Sequence, residues 1–302
     1  MRYPPLTPDQ PGAGRTRPHG IGGALTHGAL PAPPVVPPSG SAPPLVAVAH
    51  GSRDPRASAT VEALLEDVRR ARPGLRVLGT YLDHSRPSLG EALAGLDEAV
   101  VLPLLLTEAY HTRVDIPAAL REERARRVPD GRPPLRVHQG AALGPHPLLL
   151  TVLERRLAEA GVEVGDPGTA VVLVSAGSSD PRANAVIARM ARDWAWARGW
   201  HSVTPAYASA ASPTPEEAVL RVLAGHAGPH ARAGRPARVV VAPYLLAPGY
   251  FADKVSRTTL DAGAHTVAAP LGPAPEVAVV LLERHAHAVA AFQAGAPVPA
   301  TA

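Results

Sequence analysis

Two stretches of the chain, AHGSRDPRA at residues 49–57 and SAGSSDPRA at 175–183, are one loop written twice, and they part at residues able to do chemistry. His50 in the first becomes Ala176 in the second, and Arg53 becomes Ser179. Carried along the chain, the same comparison sets His111 against Phe251, Arg86 against Ser212 and Arg113 against Asp253. Two imidazoles and three guanidiniums in one copy are thus small, apolar or acidic side chains in the other. Neutral imidazole is a ligand for Co, Fe, Ni or Zn. Two imidazoles fall short of the four protein ligands of a closed structural zinc site, and an under-coordinated metal beside three guanidiniums suggests that an anionic ligand completes the coordination. Guanidinium forks bind carboxylates two oxygens at a time. The set fits a polycarboxylated substrate that itself takes up a metal. Imidazole also titrates near neutrality, so one of the pair can accept the protons that metal entry releases.

Other candidates are weighed the same way. His84 becomes Ala210 in a polar turn, where a site role and a solvated role are both open. His146 becomes Ala274 at a helix start, which favours a structural role, and His138 falls mid-strand as a core or interface residue. Glu108 becomes Pro248 and reads either as a carboxylate near a metal or as an exposed loop residue. Ser52 is retained as Ser178 in the copy without histidines, which points to a backbone or capping role. A hydrolase built on Ser52 lacks the G-x-S-x-G turn. Neither G-x-G-x-x-G after a strand nor G-x-x-x-x-G-K-[ST] is present, so nucleotide binding has no motif support.

The elements that must position these residues alternate. LVAVA (45–49) is an apolar run suited to a strand buried on both faces. Asp54-Pro55 reads as N-cap and first helical residue, with Val61, Leu64, Leu65 and Val68 at helical spacing before Pro73-Gly74 stops the helix. Strands are expected at 75–82, 99–106 and 135–143. Helices are expected from Pro87 to about Leu96, near 116–127 with Asp115 as cap, and over 146–160. Strands alternating with helices imply a parallel, doubly wound α/β sheet. The second half repeats the plan: AVVLVSA (170–176) matches the first strand, Asp180-Pro181 the helix start, and VVAPYLLAPGY (240–250) the stretch VVLPLLLTEAY (100–110). The expected organisation is a Pro/Gly-rich disordered tail over 1–42, an α/β domain over 43–165, a repeat domain without the histidines over 166–293, and a short tail over 294–302. Each of the five differing residues falls at or just past the C-terminal end of an expected strand, where open α/β sheets bind ligands.

Composition narrows the classes. The chain has 302 residues, which favours two domains, and no cysteine, which excludes disulfides and thiolate metal sites. Its net charge of +4 comes almost wholly from scattered arginine, Lys254 being the sole lysine, and aromatics are only 4%. Nucleic acid is therefore not an expected partner. With neither a long apolar run nor a secretory layout at the start, a cytoplasmic protein with no membrane partner is expected.

VAVAHGSRDPRA, YLDHSRPSL and VVLPLLLTEAYHTRVDIPAAL together resemble the sirohydrochlorin chelatases, the class II tetrapyrrole chelatases, and VVVAPYLLAPGYFADKV resembles the C-terminal repeat of their two-domain members. The resemblance runs over about residues 45–285. It implies two flavodoxin-like α/β domains facing each other across a cleft, and insertion of Co²⁺ or Fe²⁺ into sirohydrochlorin with release of two protons and no nucleotide. It implies His50 as proton acceptor and metal ligand and His111 as second ligand. Leu106, Thr107, Glu108, Ala109, Tyr110 and Arg86 would contact the macrocycle. Arg53 and Arg113 are added to the substrate set by charge matching to its carboxylates. No tightly bound cofactor is expected, the divalent metal being a substrate, and the chain is expected to act as a monomer or homodimer. Glu108-Ala109 departs from the small pairs, such as Ser-Ala or Ser-Gly, of many relatives. The alternative reading is a non-catalytic carrier of metal or tetrapyrrole using the same cleft.

Overall fold

The computed structural model describes residues 42–107, 114–129, 131, 133–226, 228 and 231–294. Strand β1 (Leu45–Ala49) is wholly buried and pairs in parallel with β2 (Val77–Tyr81) on one side and β3 (Glu98–Pro103) on the other; β3 also pairs with β4 (Arg136–Gln139). The second sheet repeats this with β5 (Thr169–Ser175), β6 (Ser202–Tyr207), β7 (Arg238–Tyr244) and β8 (Thr266–Val267). The strand orders are β2-β1-β3-β4 and β6-β5-β7-β8, all parallel. In each sheet the chain steps to one side of its first strand and then crosses to the other. The switch points are therefore β1/β3 and β5/β7, and the loops that leave these strands flank the crevice where ligands bind in such sheets.

Helix α1 (Pro55–Ala71) begins as expected: the Asp54 carboxylate accepts from Arg56 N at 2.9 Å, and Pro55 stands at the first helical position. Its counterpart α5 (Pro181–Arg198) is capped identically by Asp180, from Arg182 N at 2.8 Å. The next helix differs from expectation. It is α2 (Leu89–Leu93), opened by Ser88 and not by Pro87, because Ser88 and Glu91 close a capping box. Thr214 and Glu217 close the same box for α6 (Pro215–Leu223). Asp115 does not cap α3 (Asp115–Arg127). It is the first helical residue after Val114, where its charge meets the positive helix terminus. The strands expected at 75–82, 99–106 and 135–143 are shorter at their ends, since their last residues turn into rim loops.

Alternate strand residues face two cores. Val46, Val48, Ala99 and Val101 meet α2 and α3 through Leu89, Leu93, Ile116 and Leu120. Leu45, Ala47, Val100 and Leu102 face the other way, into a core shared by both repeats. In that core α4 (Pro147–Glu159), the last helix of the first repeat, packs on β7 of the second. The last helix of the second repeat, α8 (Pro275–Gln293), packs on α1, β3 and β4 of the first. Leu149, Leu153, Leu157, Val277, Val280 and Leu281 are fully buried there, each worth about 1.5–3 kcal/mol. Polar contacts follow the same crossing. Arg155 pairs with Glu276 at 2.7 Å, and Glu154 accepts from Trp194 Nε1 at 2.9 Å and from Arg198 at 2.6 Å and 2.8 Å. The His285 ring sits 3.0 Å from the Pro43 carbonyl at the entry to β1. Among the described residues no helix is long and apolar enough to cross a membrane.

Candidate functional site

His50 follows the last residue of β1 and is therefore set at the first switch point by the register of a buried strand. The turn that carries it is forced. Gly51 holds φ +94°, and a Cβ there would lie 1.6 Å from the Asp83 carbonyl oxygen, so any other residue must push the loop away. Asp83 N donates to the His50 carbonyl at 2.9 Å, locking the loops after β1 and β2 together. The second repeat copies this: Gly177 holds φ +85°, its Cβ would lie 2.0 Å from Ser209 O, and Ser209 N donates to Ala176 O at 2.9 Å. Ser52 Oγ accepts from Asp54 N at 3.1 Å, as Ser178 Oγ does from Asp180 N at 3.0 Å. The conserved hydroxyl is thus part of the turn in both copies, as its retention in the histidine-free repeat predicted.

The two rims enclose a cleft of 420 Å³. The first repeat lines it with His50, Gly51, Ser52 and Leu104–Thr107, and the second with Ala176, Gly177, Tyr244–Ala247 and Phe251. The lining is mostly apolar, with His50 its one imidazole among the described residues. His50 also borders a second cavity of 520 Å³ within the first repeat, between the loop after β2 and helices α2 and α3. That cavity carries Asp83, Asp115, Glu122, Glu123 and Arg126. His50 thus stands between an apolar cleft and a carboxylate-bearing cavity. Among the described residues no group of three or more His, Cys, Asp or Glu is arranged to hold a metal ion.

Of the residues expected to form the site, His50, Leu106 and Thr107 share the cleft. Arg53 is exposed and lines neither cavity. Arg86 lines neither, is 81% exposed, and pairs with Glu91, the glutamate of the α2 capping box. Glu108, Ala109, Tyr110, His111 and Arg113 lie outside the described residues. His84 borders neither cavity; it holds φ +61°, as Ala210 holds +57°, and its Nε2 is 3.2 Å from Asp83. His146 caps α4, its Nδ1 accepting from Leu148 N at 3.2 Å while Nε2 meets Glu283 at 3.1 Å; burial holds its pKa below the ordinary value. His138 is buried in β4.

Three features were not anticipated. Asp83 shares the second cavity with His50 and becomes Ser209 in the second repeat, the same kind of loss that marked the histidines. Tyr244, at the end of β7, is 1% exposed and donates its hydroxyl to the Leu106 carbonyl at 3.3 Å, so the second repeat holds the rim loop of the first. Burial pushes this phenol well above its ordinary range. Arg56 on α1 reaches Asp253 on α7 (Tyr250–Asp261) at 2.5 Å, a further tie between the repeats; Asp253 stands where the first repeat has Arg113.

Comparison with known proteins agrees with this architecture. A family model described as CbiX matches residues 44–160 and again 170–288. The chain is 28% identical over 211 residues to a sirohydrochlorin cobaltochelatase of Priestia megaterium, a match covering 67% of this chain and 63% of that protein. It is 27% identical over 217 residues to a sirohydrochlorin ferrochelatase of the same organism, covering 69% and 74%. Among solved structures, SirB from Bacillus subtilis with Fe³⁺ superposes with a TM-score of 0.68 at 24% identity, covering 84% of this chain and 98% of that one.

Proposed function

Because the chain belongs to the CbiX family, the sirohydrochlorin chelatases, we propose that it inserts a divalent metal ion, Co²⁺ or Fe²⁺, into a sirohydrochlorin-type tetrapyrrole in cobalamin or sirohaem biosynthesis. The observation that carries this reading is the pair of matching rims. Their backbones are alike down to the glycine and serine of the turn, and among the described residues the first alone places an imidazole in the cleft between them. A duplicated scaffold with one reactive edge suits a reaction in which one face of a flat ligand is worked on while the other is held.

In this reading the metal is a substrate and no resident cofactor is required. Two pyrrole N–H bonds break as M²⁺ enters, the nitrogen lone pairs form the new bonds to the ion, and two protons leave. His50 accepts a proton and, with His111, hands over the ion. A positioned base of this kind is worth about 10²–10⁴ in rate. Leu106, Thr107, Glu108, Ala109 and Tyr110 contact the macrocycle. Arg53, Arg86 and Arg113 receive its carboxylates, Arg86 exchanging its exposed Glu91 partner at little cost. Water displaced from the apolar cleft by the macrocycle strengthens the contacts made inside it, those of His50, whereas the arginine contacts at its outside stay exposed to solvent.

The test is insertion kinetics with Co²⁺, Fe²⁺ and Ni²⁺, followed by the visible spectrum of the tetrapyrrole. The proteins compared are the wild type, His50→Ala and His111→Ala. The expected result is multiple turnover by the wild type and a rate about tenfold or more lower in each variant. Equal rates in all three remove the site. A plateau at one equivalent would make the protein a carrier.

A further inference from the structure

The cleft has an aromatic edge that neither the proton nor the metal chemistry uses. Tyr250 and Phe251 are the first two residues of α7, exposed 71% and 44%, with ring centroids 5.8 Å apart at an interplanar angle of 70°. Phe251 lines the cleft. Gly249, the N-cap of α7, faces the turn that follows His50. A Cβ on Gly249 would lie 3.8 Å from Asp54 Cβ and 3.9 Å from Ser52 Oγ. In sequence, the first repeat has His111 at the position of Phe251.

We propose that Phe251, braced edge-on by Tyr250, is a stacking wall for the π-face of the tetrapyrrole macrocycle, supplied by the repeat that lacks the histidines. The inference rests on the chelatase reading and adds to it a binding residue and a division of labour. A phenylalanine serving only the core would be buried, whereas this one is nearly half exposed at the mouth of an apolar cleft. An apolar cleft lined by aromatic and aliphatic side chains with a few polar groups beside them is the usual form of a ligand site. Its occupant must present a flat, weakly polar face to the ring, which a macrocycle does and a chain of carboxylates does not. A carbon ring in the place of an imidazole also offers no lone pair, so the second rim does not compete with the macrocycle for the ion. Offset or edge contacts between aromatic systems add about 0.5–1.5 kcal/mol beyond area burial, and stacking of a flat heterocycle on an aromatic side chain is worth about 1–3 kcal/mol.

Equilibrium titration of metal-free sirohydrochlorin, read by its absorbance and fluorescence, tests this in wild type, Phe251→Leu, Phe251→Tyr and Tyr250→Ala. Binding of Co²⁺ alone serves as the control. Phe251→Leu keeps apolar bulk at a half-exposed position and loses the ring. Its tetrapyrrole Kd is expected to rise about fivefold to tenfold, with Co²⁺ binding unchanged. Phe251→Tyr is expected to stay within about twofold of wild type, and Tyr250→Ala to weaken binding about twofold. An unchanged Kd in Phe251→Leu, or equal losses in the Leu and Tyr variants, overturns the wall while leaving chelation intact. Should Phe251→Leu fail to fold, an unchanged Kd in Tyr250→Ala does the same. Absence of tetrapyrrole binding by the wild type would instead remove the chelatase reading.

Discussion

The duplicated turn provides an internal control for the claim that one rim reacts and the other only supports. Gly51→Ala and Gly177→Ala are the same perturbation on the two rims. Each demands φ near +90° of a residue with a side chain, and each drives a methyl into a carbonyl oxygen, at 1.6 Å and 2.0 Å respectively. Contacts of this kind essentially never fall under 3.0 Å, so the loop must retreat by about 1.4 Å at Gly51 and about 1.0 Å at Gly177. Backbone strain of this sort costs about 1–3 kcal/mol. The hydrogen bonds that tie Asp83 to His50 and Ser209 to Ala176 are stretched in the process. Both variants should therefore lose stability in urea by similar amounts, about 2–4 kcal/mol. Activity should separate them. A displacement near 1 Å at a reacting group costs about a hundredfold in rate, and only the turn at Gly51 carries an imidazole. Insertion rates measured well below the lower midpoint, corrected for the folded fraction, should fall about a hundredfold for Gly51→Ala and less than about fivefold for Gly177→Ala. Equal activity losses in the two variants would refute the assignment of the chemistry to the first rim.

Other outcomes follow from named contacts. Tyr244→Phe removes a buried donor to the Leu106 carbonyl; a loss of about 1 kcal/mol and about 2–4 °C in Tm is expected by calorimetry, with a rise in the KM for the tetrapyrrole. Ser52→Ala and Ser178→Ala each remove a turn hydrogen bond; both should cost about 0.5–1.5 kcal/mol and leave insertion within about threefold, whereas a hydrolase would be abolished by the first alone. Burial lowers the pKa of His285, partly opposed by the Pro43 carbonyl contact and aided by the Arg72 charge, and burial likewise lowers those of His146 and His201. For such groups the unfolded chain takes up protons first, so stability is intact above about pH 6.5 and falls as pH drops below it, by at most ~1.4 kcal/mol per pH unit for each histidine. Urea midpoints between about pH 7.5 and 5.5 should show this slope, and His285→Asn should lessen it.

Much of the scaffold is legible in the residues because buried parallel strands are continuous apolar runs and Asp-Pro marks a helix start twice. Periodicity says that a helix has an apolar face and not which sheet meets it, so the crossing of α4 and α8 had no signal. The start of α2 was misplaced at Pro87 because a capping box outweighs a proline, and the same box explains why Arg86 lies along the surface: Glu91, recruited to cap the helix, also takes the guanidinium. Asp83 was readable by the test that singled out His50, since its counterpart is Ser209, yet an exchange between two polar loop residues draws little notice. Tyr244 gave no sign, because its partner belongs to the other repeat and no spacing within a strand encodes that bond.

The exchanged helices have a consequence for any attempt to cut the protein in two. A fragment ending near residue 165 would keep α4, whose apolar side fits β7, and would lose α8, which roofs β3 and β4. Such a half has one lid it cannot wear and one bare face it cannot cover. Two identical halves can settle both debts by trading lids around a twofold axis, so the fragment is expected to pair with itself, while the intact polypeptide carries that pairing within a single thread.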